Sequence, residues 1–247
     1  MKYSPCPLKV WISPTVAEAI PQADDSPHYS GHRDRLRARF LRGGADGLAE
    51  YELLELILFM AIPRRDVKPL AKSLIKQFGS FAGVVHASVD ELIAFGLSEN
   101  TSTALKAIEA AGLFMMRQDV MNKPVLNSWN KLTDYIRAGM AHEKKEHFRL
   151  LFLNKKNELI ADEIQQSGTV DHTPAYPREI MKRALEVGAT AIILVHNHPS
   201  GDPTPSKPDI EMTQAIIEAG KPFSIVIHDH IIVSRTGTSS MRNLGLI

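Results

Sequence analysis

Two histidines and an aspartate are the residues of this chain best suited to metal chemistry. His196 and His198 flank Asn197 directly after the apolar run 191–195, and Asp209 follows a short loop. Neutral imidazoles and a carboxylate are ligands that zinc takes in proteins, and a set of three leaves one position open for water. These residues therefore predict one catalytic Zn²⁺ ion per chain.

The spacing of these residues suits a shared site. The apolar run predicts a buried strand, and alternate residues of a strand point to the same face, which pairs His196 with His198. Glycine and prolines between 199 and 208 let the chain turn back, so that Asp209 reaches the histidines. Ordinary interpretations remain open. A His-x-His pair occurs without metal, and Ser206 with Asp209 forms a helix capping box.

Composition narrows the class of protein. The chain has 247 residues, 44% of them hydrophobic, and a net charge of +1, which predicts a folded protein of one or two domains. Binding to nucleic acid would need a local basic patch. Cys6 is the one cysteine, which excludes an internal disulfide and a thiolate zinc cluster. No apolar run approaches the ~18 residues of a membrane span, so no membrane partner and a cytoplasmic location are expected.

The first half of the chain predicts a tail and a helical domain. Residues 1–27 contain prolines and scattered polar groups, which predict a disordered tail. Apolar residues at three- and four-residue spacing then predict an all-helical domain over residues 28–118. Helices are expected at 51–59, 67–78 and 105–116, and Ser88 with Glu91 predicts a capped helix start.

The second half, residues 125–247, predicts a domain of mixed α and β structure. Short apolar runs there predict strands, and the stretches between them have helical spacing. The expected fold class is therefore α+β, an all-helical domain followed by an α/β domain. Strands are expected at 148–153, 159–164, 191–195 and 223–233, and helices at 133–139, 177–187 and 210–219.

The motif and its flanks resemble a known family. The pattern His-x-His-x(7)-Ser-x(2)-Asp at 196–209 resembles the JAMM motif of MPN-type zinc metallopeptidases. The segment His-Asn-His-Pro-Ser-Gly-Asp-Pro-Thr-Pro-Ser is similar to sequences of the bacterial RadC family in particular. The similarity covers most of the chain after residue 28. The resemblance implies an MPN domain (JAB-like, cytidine-deaminase-like) behind a helix-hairpin-helix-like domain. Further similar segments are 51–56, 146–149, 177–179 and 229–232.

The resemblance also implies roles for single residues. His196, His198 and Asp209 match the zinc ligands of the family. Ser206 matches the serine that helps to stabilise the oxyanion. The implied activity is hydrolysis of an amide or isopeptide bond in an unknown protein or peptide substrate.

The family further uses an upstream glutamate as general base, near the start of an early strand. Glu146, just before the strand at 148–153, is the expected base. Glu163, in the next strand, is the alternative, and a surface ion pair remains an ordinary interpretation of either. Asp229 and His230 also match the RadC pattern. For the pair His228 and His230, a structural role or one such as orienting a metal ligand is expected rather than a second metal site.

A function of another class stays open. Residues 95–101 resemble a helix-hairpin-helix motif, whose backbone N–H groups approach DNA phosphates. Here Ser98 stands at the second glycine position and no lysine or arginine lies within 96–105, so a structural hairpin is an equal alternative. The arginines within 33–42 either contact phosphates or form a solvated helix face. The alternative function is therefore a DNA-associated repair or recombination factor, in which the zinc site is structural or non-proteolytic.

Overall fold

The computed structural model describes residues 31–167 and 176–247, so the tail predicted at 1–27 lies outside the described residues. The part up to residue 120 is helical, and the later part is a sheet with helices on both faces. The expected α+β fold class is thereby confirmed.

The helical part is built around leucines that the helical spacing predicted. Leu54, Leu58, Leu74, Leu92 and Leu105 are all fully buried in one cluster. Burial of a leucine side chain contributes roughly 1.5–3 kcal/mol, so this cluster supplies the main stabilisation of the helices. The helices are α1 His32–Gly43, α2 Glu50–Ala61, α3 Lys68–Phe78, α4 Phe81–His86, α5 Val89–Ala94 and α6 Glu99–Val120.

Helix α4 is an element that the spacing did not predict, and α6 is longer than predicted. A helix of six residues is too short to show a periodic pattern. Its backbone passes so close to α3 that a Cβ atom on Gly83 would lie 2.1 Å from the carbonyl oxygen of Phe78. Glycine at this position therefore permits the contact between the two helices.

The turn between α5 and α6 explains why serine stands at the second glycine position. Gly96 has a positive φ of 106°, a conformation that favours glycine. The Ser98 side chain accepts a hydrogen bond from the backbone N–H of Thr101 at 3.2 Å and caps α6. A serine is therefore suited to this turn by its capping role alone.

Some arginines of α1 make contacts within the helical part. The Arg33 guanidinium donates to the carbonyl oxygens of Ile62 at 2.7 Å and Arg65 at 2.6 Å. Arg39 forms an ion pair with Glu52 of α2. Arg33 and Arg39 are thus bonded within the helical part. Binding of DNA by α1 stays a prediction.

The later part contains a five-stranded sheet in the order β2-β1-β3-β4-β5. β1 pairs antiparallel with both β2 and β3, β3 pairs parallel with β4, and β4 pairs antiparallel with β5. The strands are β1 His147–Leu153, β2 Leu159–Ser167, β3 Ala191–Asn197, β4 Val226–Val233 and β5 Thr238–Ser240.

Two details of this sheet differ from the prediction. The strand expected from 223 begins at Val226, because Phe223 lies in a 3-10 turn, Lys221–Phe223, and Ser224 has a left-handed backbone conformation with a φ of 54°. The three-residue β5 was not predicted, since so short a strand has no period that can be read.

Helices cover both faces of the sheet and make two apolar cores. Alternate strand residues such as Leu151, Ile193 and Val195 pack in the core that includes α7. Leu150 and Leu194 belong to the opposite core, which includes the other two helices. These helices are α7 Trp129–Met140, α8 Pro177–Glu186 and α9 Lys207–Gly220.

The helical part and the sheet part are in contact. Met116 of α6 packs against the core beneath the sheet. The rings of His86 and His142 are stacked, with centroids 4.5 Å apart and planes 9° apart. Lys144 forms an ion pair with Glu91. In the described ranges, no helix has the length and apolar composition needed to cross a membrane.

A buried ion pair joins α7, β1 and β2. Arg149 Nε donates to Asp162 Oδ1 at 2.5 Å, and Nη2 donates to Asp162 Oδ2 at 2.6 Å. The Tyr135 hydroxyl donates to the same Oδ2 at 2.6 Å. Burial, with the hydrogen bond to Asp162, raises the pKa of Tyr135 to about 12, so the hydroxyl keeps its proton. The carboxylate of Asp162 thus has a full set of donors.

We predict that Arg149→Met lowers the free energy of unfolding by about 3–5 kcal/mol, because it leaves the buried Asp162 carboxylate without its cation. The double variant Arg149→Met/Asp162→Leu removes both charges and should recover most of this loss. Urea unfolding of the three proteins checks the prediction. A single variant within about 0.5 kcal/mol of the wild type, the usual effect of a surface change, would contradict it.

Candidate metal centre

The candidate centre lies where β3 ends, beside the start of β1 and the first turn of α9. Phe148 is opposite His196 in the antiparallel pair of β1 and β3, so Glu146, just before β1, reaches the end of β3. Strand alternation puts His196 and His198 on the α9 face, and Asp209 is in the first turn of that helix. Three separate stretches of the chain meet at this point.

The four residues expected as ligands and base lie together. One potential ligand atom of each of Glu146, His196, His198 and Asp209 is within 4.8 Å of the others. The two histidine Nε2 atoms are 2.8 Å apart. Asp209 Oδ1 lies 3.3 Å from His196 Nε2, and its Oδ2 lies 3.5 Å from His198 Nε2. Glu146 Oε1 is farther away, at 3.9 Å from His196 Nε2.

A hydrogen bond on the far side of the His198 ring shows which of its two nitrogens carries the proton. His198 Nδ1 is 2.7 Å from the carbonyl oxygen of Asp202. A carbonyl only accepts, so Nδ1 carries the proton and the Nε2 of the neutral ring presents a lone pair. Thr236 Oγ1 donates to the carbonyl of Gly201 at 2.6 Å and ties this loop to the turn after β4.

A chain of hydrogen bonds shows which nitrogen of His196 carries the proton. The Thr213 hydroxyl donates to the carbonyl oxygen of Asp209 at 2.6 Å, so it accepts from His230 Nδ1, also 2.6 Å away. His230 Nε2 is then free to accept from His196 Nδ1 at 2.8 Å. Burial lowers the pKa of His230 well below its ordinary value, which keeps the ring neutral. His196 Nε2 therefore presents a lone pair as well.

The donor set fits a divalent cation. Two imidazole lone pairs 2.8 Å apart repel each other unless a proton or a cation lies between them. The backbone N–H and the hydroxyl of Ser206 donate to the Asp209 carboxylate, which favours its ionised form. Two nitrogens and one ionised carboxylate are a combination that zinc accepts.

Ser206 caps α9 and holds the Asp209 carboxylate. Its backbone N–H and its hydroxyl donate to Asp209 Oδ2 at 2.7 Å and 2.6 Å. Asp209 N donates back to Ser206 Oγ at 3.3 Å, which completes the predicted capping box. The hydroxyl thus lies at the edge of the cluster, and its oxyanion role stays a prediction.

The alternatives for the base and for a second metal site lie elsewhere. Arg183 Nε donates to both oxygens of Glu163, at 3.1 Å and 2.9 Å, so this carboxylate is paired with α8. His228 Nε2 bonds Asn157 Oδ1 at 2.7 Å, whereas His230 bonds His196. Within the described residues, neither Glu163 nor His228 belongs to the candidate group.

Asp229 acts on the sheet rather than at the centre. Its carboxylate accepts from the backbone N–H of His230 at 2.7 Å, from the Ser240 hydroxyl at 2.5 Å and from Arg242 N at 3.1 Å. These bonds hold the segment after β4 against the strand. The peptide unit of His230 is fixed with it.

Thr213 is a residue of this hydrogen-bond chain that was not predicted from the sequence. It lies four residues after Asp209 on α9, so both occupy one helix face, and it is fully buried there. A hydroxyl on the buried face of a helix, one turn after a candidate ligand, was the signal available in the sequence.

We predict that Thr213→Val weakens zinc binding by about 10- to 100-fold, the usual effect of losing a partner that orients a ligand. Valine has nearly the same shape but leaves His230 Nδ1 without its acceptor. Competition with a fluorescent zinc chelator measures the affinity. Thr213→Ser, which keeps the hydroxyl, is the matched control and should bind like the wild type. Equal affinity in the valine variant would contradict the orienting role.

A comparison with protein families agrees with this geometry. Residues 126–246 match the family model described as a RadC-like JAB domain. This stretch contains β1 to β5, α8 and α9, and all four residues of the candidate group. The C-terminal half of the chain is therefore a RadC-like JAB domain.

Proposed function

We propose that this domain is a zinc-dependent hydrolase that cleaves an amide bond, peptide or isopeptide, in a protein or peptide substrate. The observation that carries the proposal is the position of Glu146. His196, His198 and Asp209 form a compact set of three, while the Glu146 carboxylate is set back at 3.9 Å from His196 Nε2. Three ligands with a nearby carboxylate are typical of a catalytic zinc site rather than a structural one.

His196, His198 and Asp209 would hold one ion per chain. When bound, zinc lowers the pKa of water from ~15.7 towards ~7 and polarises a carbonyl group. The Asp209 carboxylate is oriented by Ser206, and both imidazoles are oriented through their Nδ1 atoms. The protein therefore presents these donors with little freedom to rearrange.

In this proposal, Glu146 moves the proton. Its side chain is partly exposed, at 21%, so a substrate can approach it from solvent. A carboxylate in this place accepts the proton of the attacking water and later delivers it to the nitrogen of the leaving amine. The second transfer is needed because an amine leaves poorly without a proton.

The Ser206 hydroxyl can donate a hydrogen bond to the oxygen of the substrate carbonyl. Its hydroxyl now donates to Asp209 Oδ2, but its backbone N–H donates to the same atom at 2.7 Å. Rotation of the hydroxyl therefore leaves the carboxylate held by the backbone. The freed O–H then donates to the oxygen of the substrate carbonyl as negative charge develops there.

The metal content of purified protein tests the ligand set. We expect one zinc per chain in the wild type, and loss of zinc in His196→Ala, His198→Ala and Asp209→Ala. His228→Ala is the control and should keep its zinc, because His228 bonds Asn157 outside the group. Elemental analysis of chelator-free preparations gives the stoichiometry. Full zinc content in the His196 variant would refute the proposed site.

A second experiment tests the base. Glu146→Gln should keep its zinc and lose about 10²- to 10⁴-fold in hydrolysis of a library of peptides and isopeptides, because the amide cannot accept the proton. Mass spectrometry of the products measures the rate. Glu163→Gln is the matched control and should cleave like the wild type, since Glu163 pairs with Arg183. Wild-type cleavage by the Glu146 variant would refute Glu146 as the base, whereas absence of cleavage by the wild type would favour the non-proteolytic alternative.

A further inference from the structure

The segment that carries Glu146 has little regular structure of its own. Helix α7 ends at Met140 and β1 begins at His147, and residues 141–146 connect them. Glu143, Lys144 and Lys145 of this connection are exposed. The position of the Glu146 carboxylate therefore depends on what holds the connection in place.

The side chain of Asn197 holds this connection on both sides of Glu146. Asn197 Oδ1 accepts from the backbone N–H of His147 at 2.8 Å. Its Nδ2 donates to the carbonyl oxygen of Lys145 at 2.9 Å and to that of Glu143 at 3.4 Å. The two closer bonds join the residues immediately before and after Glu146. Asn197 is 1% exposed, so no water competes for them.

Asparagine is well matched to this task. The three bonds use the oxygen and the amide group together, and the backbone partners settle which end of the side chain faces which group. Aspartate has no donor for the two carbonyls. Alanine removes all three hydrogen bonds, so the N–H of His147 and the carbonyl oxygens of Lys145 and Glu143 lose this partner.

Strand alternation gives Asn197 its place relative to the ligands. His196 and His198 point to the α9 face of β3, and Asn197, between them, points to the other face. The end of β3 therefore carries two candidate ligands on one face and, on the other, the side chain that holds the segment of the candidate base. The distance between the base and the ligands is then set by three consecutive residues.

We propose that Asn197 is a positioning residue, which sets the Glu146 carboxylate relative to the metal ligands by binding the peptide groups on either side of it. The inference rests on the proposed function, in which Glu146 moves the proton. The helical part makes a separate contact with the connection, through the ion pair of Lys144 with Glu91. This exposed pair does not involve the peptide groups on either side of Glu146 and serves as a comparison.

Hydrogen–deuterium exchange, read on peptides covering 141–149, tests the anchor without any substrate. Asn197→Ala should exchange at least tenfold faster at His147 and still bind one zinc per chain. Lys144→Ala, which removes the exposed ion pair, is the matched control and should exchange at His147 like the wild type. Unchanged exchange in Asn197→Ala, or loss of its zinc, overturns the proposal, whatever the activity.

Turnover on the peptide library separates positioning from general stability. Asn197→Ala should lower kcat by about 10²-fold with little change in KM, the effect of displacing a catalytic group by about 1 Å. In a Glu146→Gln background, the same change should cause no further loss, because the group that it positions is gone. Equal losses in both backgrounds would overturn the proposal.

A second variant keeps the test valid if alanine disturbs folding. Asn197→Asp is nearly isosteric and can still accept from His147 N–H, but it faces the carbonyls of Lys145 and Glu143 without a proton to donate. We expect it to keep its zinc and lose turnover like the alanine variant. Wild-type turnover would contradict the role of Asn197. If the wild type itself cleaves nothing, the proposed function fails, and the exchange rates still decide whether Asn197 is the anchor.

Discussion

The pairing of β3 with a strand on each side is the constraint on which the candidate centre depends. All seven residues of β3 are buried, and β1 and β4 form ladders along both of its edges. A slip of one residue would exchange its two faces and bury the wrong side chains. The register therefore decides that His196 faces α9 and that Asn197 faces the connection before β1.

Polar groups beneath the centre are satisfied in one connected set. His230 and Thr213 are fully buried and can be accommodated only because each proton has an acceptor, from His196 through to the carbonyl of Asp209. An incomplete chain would leave an unpaired buried group at a cost of roughly 1–3 kcal/mol. The same bonds that satisfy the interior also orient two candidate ligands. Stability and ligand geometry are therefore coupled here.

The fold class and the local signals were readable in the sequence because they depend on near neighbours. Helical spacing predicted α2 and α3, and the capping boxes at Ser88 and Ser206 were predicted and are present. Capping involves residues three apart, so the sequence alone contains the information. Helix α4 and strand β5 were missed because each is too short to show a period and depends on packing with elements elsewhere in the chain.

For the centre, the sequence by itself determined the candidate donors: the types and spacing of His196, His198, Ser206 and Asp209. The tertiary structure decided which glutamate joins them, since Glu146 directly precedes β1, Glu163 lies on β2, and only the sheet order places one of them beside β3. The tertiary structure also decided which hydrogen bonds Thr213, His230 and Asn197 form. Their partners are distant in the chain or belong to its backbone, and a residue's type alone does not indicate a hydrogen bond that exists only after the strands and helices pack.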